Sequence, residues 1–194
     1  QNIGVGEWQI HLPYKNTIEI KEAGPRIYCA TENAVFYYDT EDNSVNRLSK
    51  VTGLSDIGVS AIGYREEGDV LVIAYSNANI DLIKDGSIVN ISDIKRKSIL
   101  GDKDINSITF INGTAYLSCG FGIVVLDVDN NEIKDIYYIS LAQDEVNQVV
   151  VLNDTLYAAA SAGLYKAPLS TANLSDFNSW TLETALPAAV YNCI

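Results

Sequence analysis

The chain has 194 residues, a formal net charge of −12, 47% hydrophobic residues and 20% charged ones. That balance describes a globular protein, long enough for one sizeable core or for part of a repeat array, and not a disordered tail. Its acidity argues against a nucleic-acid partner and against adhesion to an anionic membrane, and no apolar run reaches the roughly 18–20 residues of a spanning helix.

Along the chain, short apolar runs alternate with polar turns, and no stretch keeps a helical period. An outer strand is expected at 7–10, around Trp8. Four strands follow at 17–22, 26–30, 34–39 and 45–48, with Ala23-Gly24-Pro25 and Glu41-Asp42-Asn43 at the reversals. The next four fall at 60–64, 70–74, 79–83 and 87–91. A third set occupies 105–111, 114–119, 122–127 and 132–139, its first pair joined by Asn112-Gly113, a strong hairpin signal. The fourth set lies at 146–152, 155–160, 163–167 and 179–182, and 188–194 reads as the first strand of one more unit.

These sets are copies of one another. The small residue ending each second strand is Ala30, Ala74, Ser118 and Ala159, at steps of 44, 44 and 41 residues. A period in the forties with four strands per unit is the signature of propeller blades. The expected fold is therefore all-β, a β-propeller with four four-stranded blades at 17–48, 60–91, 105–139 and 146–182. Glu7-Trp8-Gln9-Ile10 resembles Ser179-Trp180-Thr181-Leu182, so 7–10 and 188–194 read as extra terminal strands of one incomplete, shared blade. The chain is thus expected to be a fragment of a larger ring. A blade packs both faces against neighbours, so an open arc bares one apolar face at each end, and self-association through those faces is expected. With no methionine even at position 1, the natural start is missing: either an export signal has been cleaved, the favoured reading, or the sequence begins at a boundary inside a longer chain.

The chemistry-bearing residues are sparse. His11 is the one histidine, and the three cysteines (Cys29, Cys119, Cys193) have no metal-ligand spacing; Cys29 and Cys119, inside apolar strands, read as small buried hydrophobes. No metal, cofactor or catalytic residue is expected. Carboxylates fall mainly in turns, where turn chemistry and solubility account for them. Gly120-Phe121-Gly122 reads as a hairpin, since no helix follows it to hold a phosphate. The basic cluster is Lys95-Arg96-Lys97, in the longest gap between blades. It reads either as a solvated connector or as the contact for an anionic group, such as a lipopolysaccharide phosphate, or for a partner's acidic face. In the pairs Tyr37-Tyr38 and Tyr137-Tyr138 neighbouring side chains face opposite ways, so one of each should pack between blades and the other be exposed. Tyr38 and Tyr138 are the candidates for a protein or glycan contact.

Thr52-Gly53-Leu54-Ser55-Asp56, followed by Val59-Ser60-Ala61-Ile62, resembles the two-component regulator propeller repeat, and Ala162-Gly163-Leu164-Tyr165 resembles its second half. Over nearly the whole chain, four stretches resemble the N-terminal propeller of the PorZ family. They are Trp8-Gln9-Ile10-His11-Leu12-Pro13-Tyr14, Val51-Thr52-Gly53-Leu54-Ser55-Asp56, the run 86–95, and Gly120-Phe121-Gly122-Ile123-Val124-Val125-Leu126-Asp127. The resemblance implies an exported, outer-membrane-associated and non-catalytic protein of the periplasm or cell surface. It further implies a type IX secretion attachment complex containing a sortase, with envelope proteins or a glycolipid as partners. The alternative is a periplasmic, oligosaccharide-sensing propeller of a hybrid two-component regulator. A carbohydrate-active enzyme ranks last, because no carboxylate pair stands out.

Overall fold

The computed structural model describes residues 14–99 and 101–193; the expected strand at 7–10, and His11 with it, lie outside them. Among the described residues sixteen strands form four four-stranded sheets. The first sheet holds β1 (Thr17–Ala23), β2 (Arg26–Thr31), β3 (Ala34–Asp39) and β4 (Ser44–Leu48). The second holds β5 (Val59–Arg65), β6 (Val70–Tyr75), β7 (Ile80–Lys84) and β8 (Ser87–Ile91). The third holds β9 (Ile105–Ile111), β10 (Thr114–Cys119), β11 (Gly122–Asp127) and β12 (Glu132–Tyr137). The fourth holds β13 (Val146–Leu152), β14 (Thr155–Ala160), β15 (Gly163–Pro168) and the short β16 (Thr181–Leu182). Each is an antiparallel meander in chain order. Its tight turns use residues that tolerate positive φ, such as Asn112 (49°) with Gly113 (81°) and Asp85 (51°) with Gly86 (70°).

The sheets stack face to face, and three cores lie between them. Ala30, Val35, Ile62 and Ile73 fill the first; Val72, Leu82, Leu117 and Val124 the second; Ile123, Val149, Leu156 and Trp180 the third. Every residue of β6 is buried, since successive side chains enter opposite cores, which is why a middle strand reads as an unbroken apolar run. Near the axis β1, β5, β9 and β13 lie side by side. Each skips one residue in its pairing with the second strand, at Ile18, Ser60, Asn106 and Asn147, so the bulge itself repeats. Side chains then bridge one first strand to the next. The Ile62 N–H donates to Glu19 Oε2 at 2.8 Å, and Asn106 Nδ2 donates to the Val146 carbonyl at 2.9 Å. Gly63 permits the close approach of β5 and β9: a Cβ there would stand 2.4 Å from Ile108 Cγ2.

Three segments differ from the sequence-based expectation. Residues 188–193 form no strand, although Asn147 Nδ2 donates to the Tyr191 carbonyl at 2.9 Å, repeating the Asn106–Val146 contact one blade on. The expected strand at 179–182 shortens to Thr181–Leu182, because a 3₁₀ turn at Phe177–Ser179 swings Trp180 into the third core. There its indole N–H reaches the Leu174 carbonyl at 2.9 Å. The connector after β8 contains one helical turn, α1 (Asp93–Arg96), whose Ile94 is buried in the second core.

Candidate interaction surface

A meander places its β2–β3-type turn and the connector to the next blade at one edge, and its other two turns at the opposite edge. The connector edge of blade two contains Gly53-Leu54-Ser55-Asp56. Ser49 and Thr52 cap the preceding 3₁₀ turn, the Ser49 N–H donating to Thr52 Oγ1 at 2.7 Å, and Gly53 (φ 115°) lets the chain reverse. Leu54 then inserts into the first core. The Ser55 N–H donates to Asp81 Oδ2 at 2.7 Å, and the same oxygen accepts from the Tyr75 hydroxyl at 2.6 Å. Asn90 Nδ2 donates to the other oxygen at 2.9 Å, so a fully buried carboxylate is held by three donors. Burial, and then the Asp81 carboxylate, push the Tyr75 phenol far above its ordinary range.

Asp56 accepts from Lys95 Nζ and from Asn77 Nδ2, both at 2.7 Å. Lys95, and after it the Asn77 amide and the Ile57 N–H, hold this carboxyl well below the usual carboxylate range. The pair ties α1 to the turn that opens blade two. Sequence reasoning named Ser55 and Asp56 as part of a repeat turn, and Lys95 as part of a basic cluster, but missed the network of Asp81, Tyr75 and Asn90. The missed signal was register: Asp81 lies opposite Ile73, where the other blades pair Phe36 with Cys29, Val124 with Leu117 and Tyr165 with Ala158. An ionisable residue at a ladder position that is apolar or aromatic elsewhere marks a local polar network.

The basic cluster is less available than its spacing implies. Lys95 is committed to Asp56, and Arg96 pairs with Asp93 at 3.2 Å within α1. The Lys97 carbonyl accepts from Lys103 Nζ, while its own ammonium is exposed and makes no ion pair among the described residues. The tyrosines divide unequally. Tyr37 and Tyr137 pack in the first and third cores as expected. Tyr138, expected to be exposed, is half-buried against the second core instead, because blade two covers the face it points to. Tyr38 is half-buried on the outer face of blade one and donates to Asn43 Oδ1 at 2.6 Å. Of the cysteines expected to be buried, Cys119 is buried and Cys29 is only half-buried, on that same outer face; Cys193 is exposed. Among the described residues no group of His, Cys, Asp or Glu is arranged to hold a metal, and no helix is long and apolar enough to cross a membrane.

Four antiparallel meanders, stacked about their first strands and laced together there, define a β-propeller, with some of its polar side chains joining neighbouring blades. Residues 27–181 match the family described as the N-terminal β-propeller domain of PorZ of the type IX secretion system, and the chain belongs to that family. Among solved structures it is similar to PorZ of Porphyromonas gingivalis, an essential bacterial surface component of the type IX secretion system. Identity is 29%, the TM-score 0.77, with 87% of this chain and 22% of that one covered. The fold is shared with the extracellular domains of two putative hybrid two-component systems of B. thetaiotaomicron. One is 11% identical (TM-score 0.72, covering 96% of this chain and 25% of that one), the other 15% (0.63, covering 85% and 23%). The chain thus spans about a quarter or less of these relatives. No curated protein matches it.

Proposed function

We propose that the chain is a non-catalytic interaction module of an exported cell-envelope protein, docking other envelope proteins or a glycolipid such as lipopolysaccharide. Membership of the PorZ propeller family is the observation that carries this reading. The connector edge of blade two, where the exposed Arg96 and Lys97 lie beside the Asp56–Lys95 clasp, is the surface we assign to an anionic group. Likeness to the two-component extracellular domains, at 11–15% identity, concerns the fold alone and gives the sensor reading no separate support.

Protease added to intact cells should digest the full-length protein, and crosslinking should recover it with envelope proteins; retention in the cytoplasm would refute the assignment. Arg96→Glu with Lys97→Glu, which spares the Asp56–Lys95 pair, should weaken binding to lipopolysaccharide vesicles. Unchanged binding removes the basic cluster from the function.

A further inference from the structure

The two edges of the propeller differ sharply in charge. The Lys95-Arg96-Lys97 cluster, Lys50 and Lys103 all lie on connectors at one edge. At the other, the turns after the first and third strands of every blade contain no Lys or Arg, yet carry nine carboxylates, Glu41, Asp42, Glu66, Glu67, Asp69 and Asp85 among them. Two of the cations at nearby strand ends are already used. Arg65 donates to both oxygens of Asp129, at 2.5 and 3.1 Å, and to the Gly113 carbonyl at 3.0 Å. Lys84 Nζ donates to the Val128 and Asp129 carbonyls, each at 3.2 Å.

This acidic edge is not flat. A crevice of about 450 Å³ lies between blades one and two, lined by Glu22, Gly24, Tyr64 and Glu66. On the other side of the same β5–β6 turn a second one, of about 350 Å³, is lined in part by Glu67, by Asp127 and by Asp129 with its partner Arg65. The carboxylates of Glu22, Glu66 and Glu67 are exposed and make no hydrogen bond or ion pair among the described residues. Tyr64 is fixed at the first crevice by its hydroxyl, which donates to Asp69 Oδ1 at 3.0 Å, and by packing on Tyr28. Two free carboxylates beside an anchored aromatic ring suit an organic cation, through charge and cation–π attraction together.

From this geometry we infer that the turn edge is a docking surface for a basic segment of a partner polypeptide, with one Lys or Arg seated between Glu22, Glu66 and Tyr64. A second basic residue takes the Glu67 side, so the segment crosses the β5–β6 turn. The surface is distinct from the connector edge and extends the interaction-module reading to a second partner. Because carboxylates outnumber cations at this edge, its attraction accelerates encounter and weakens with salt.

The test is fluorescence anisotropy of the full-length protein with a labelled lysine-rich peptide, and with spermidine as competitor. Glu22→Gln with Glu66→Gln should weaken peptide binding about tenfold or more, and Tyr64→Leu should weaken it further. Arg96→Glu with Lys97→Glu should leave it unchanged, so loss of the connector-edge function and loss of this site are read separately. Both Gln substitutions lie at exposed positions, and a melting curve verifies the fold. Equal affinity in the Gln variant overturns the proposal. So does displacement by spermidine at the peptide's own dissociation constant, which would reduce the edge to general counterion attraction.

Discussion

Replacing Asp81 tests the polar network at its least replaceable member. The carboxylate is fully buried and accepts from the Ser55 N–H, the Tyr75 hydroxyl and the Asn90 amide. Asp81→Ala leaves the first two without an acceptor, whereas Asn90 Nδ2 keeps Asn79 Oδ1 and the Ile80 carbonyl at 3.1 and 3.0 Å. An orphaned buried hydroxyl and an orphaned half-buried N–H, at about 1–3 kcal/mol each, give an expected loss of roughly 2–6 kcal/mol. Asp81→Asn keeps the shape and one acceptor oxygen, and should lose about half as much. Urea denaturation followed by tryptophan fluorescence measures the difference. Hydrogen exchange adds a local readout: the Ser55 amide should exchange faster in Asp81→Ala, while amides of β14 should change only with global stability. Asp81→Val combined with Tyr75→Phe removes the carboxylate and the hydroxyl together and should recover part of the loss. A loss below about 1 kcal/mol for Asp81→Ala would refute the reasoning, since such a cost matches an exposed polar contact.

Other consequences are equally open to measurement. Gly63→Val drives a side chain into Ile108, against which even a Cβ would stand at 2.4 Å, and should cost at least about 1–3 kcal/mol in denaturation; Ile108→Ala should restore part of it. Asp56 titrates below its unfolded value, so its contribution is present above about pH 4 and is lost as pH falls through the lower folded value. Stability of the wild type should therefore fall more steeply on acidification than that of Asp56→Asn, and parallel acid curves would contradict the clasp. Ile20 and Val45, 59% and 58% exposed on the outer face of blade one, should make the 194-residue chain associate when expressed alone. Ile20→Glu with Val45→Glu should shift its light-scattering mass towards the monomer, and equal masses would show that this face is not the contact.

Most of the architecture was legible in the chain because a blade is a local object. Period-two apolar runs, Asn112-Gly113 and the recurrence of Ala30, Ala74, Ser118 and Ala159 depend on contacts within a few tens of residues, and each meander closes on its own turns. The Gly-Leu-Ser-Asp turn and the basic run were legible for the same reason. What the carboxylates and cations do was not. Whether Lys95 is free or held by Asp56, whether Tyr138 is open or covered by blade two, and that Asp81 sits opposite Ile73 all depend on stacking and register. So does the gathering of acidic turns at one edge, with Glu22 and Glu66 lining the same crevice across two blades. Strand pattern is decided by which residues want to leave water, and a sequence records that directly. The pairing of charges between blades, as in Asp56–Lys95 and Arg65–Asp129, is decided by distances between residues 39 and 64 positions apart, and only the stacked sheets set those.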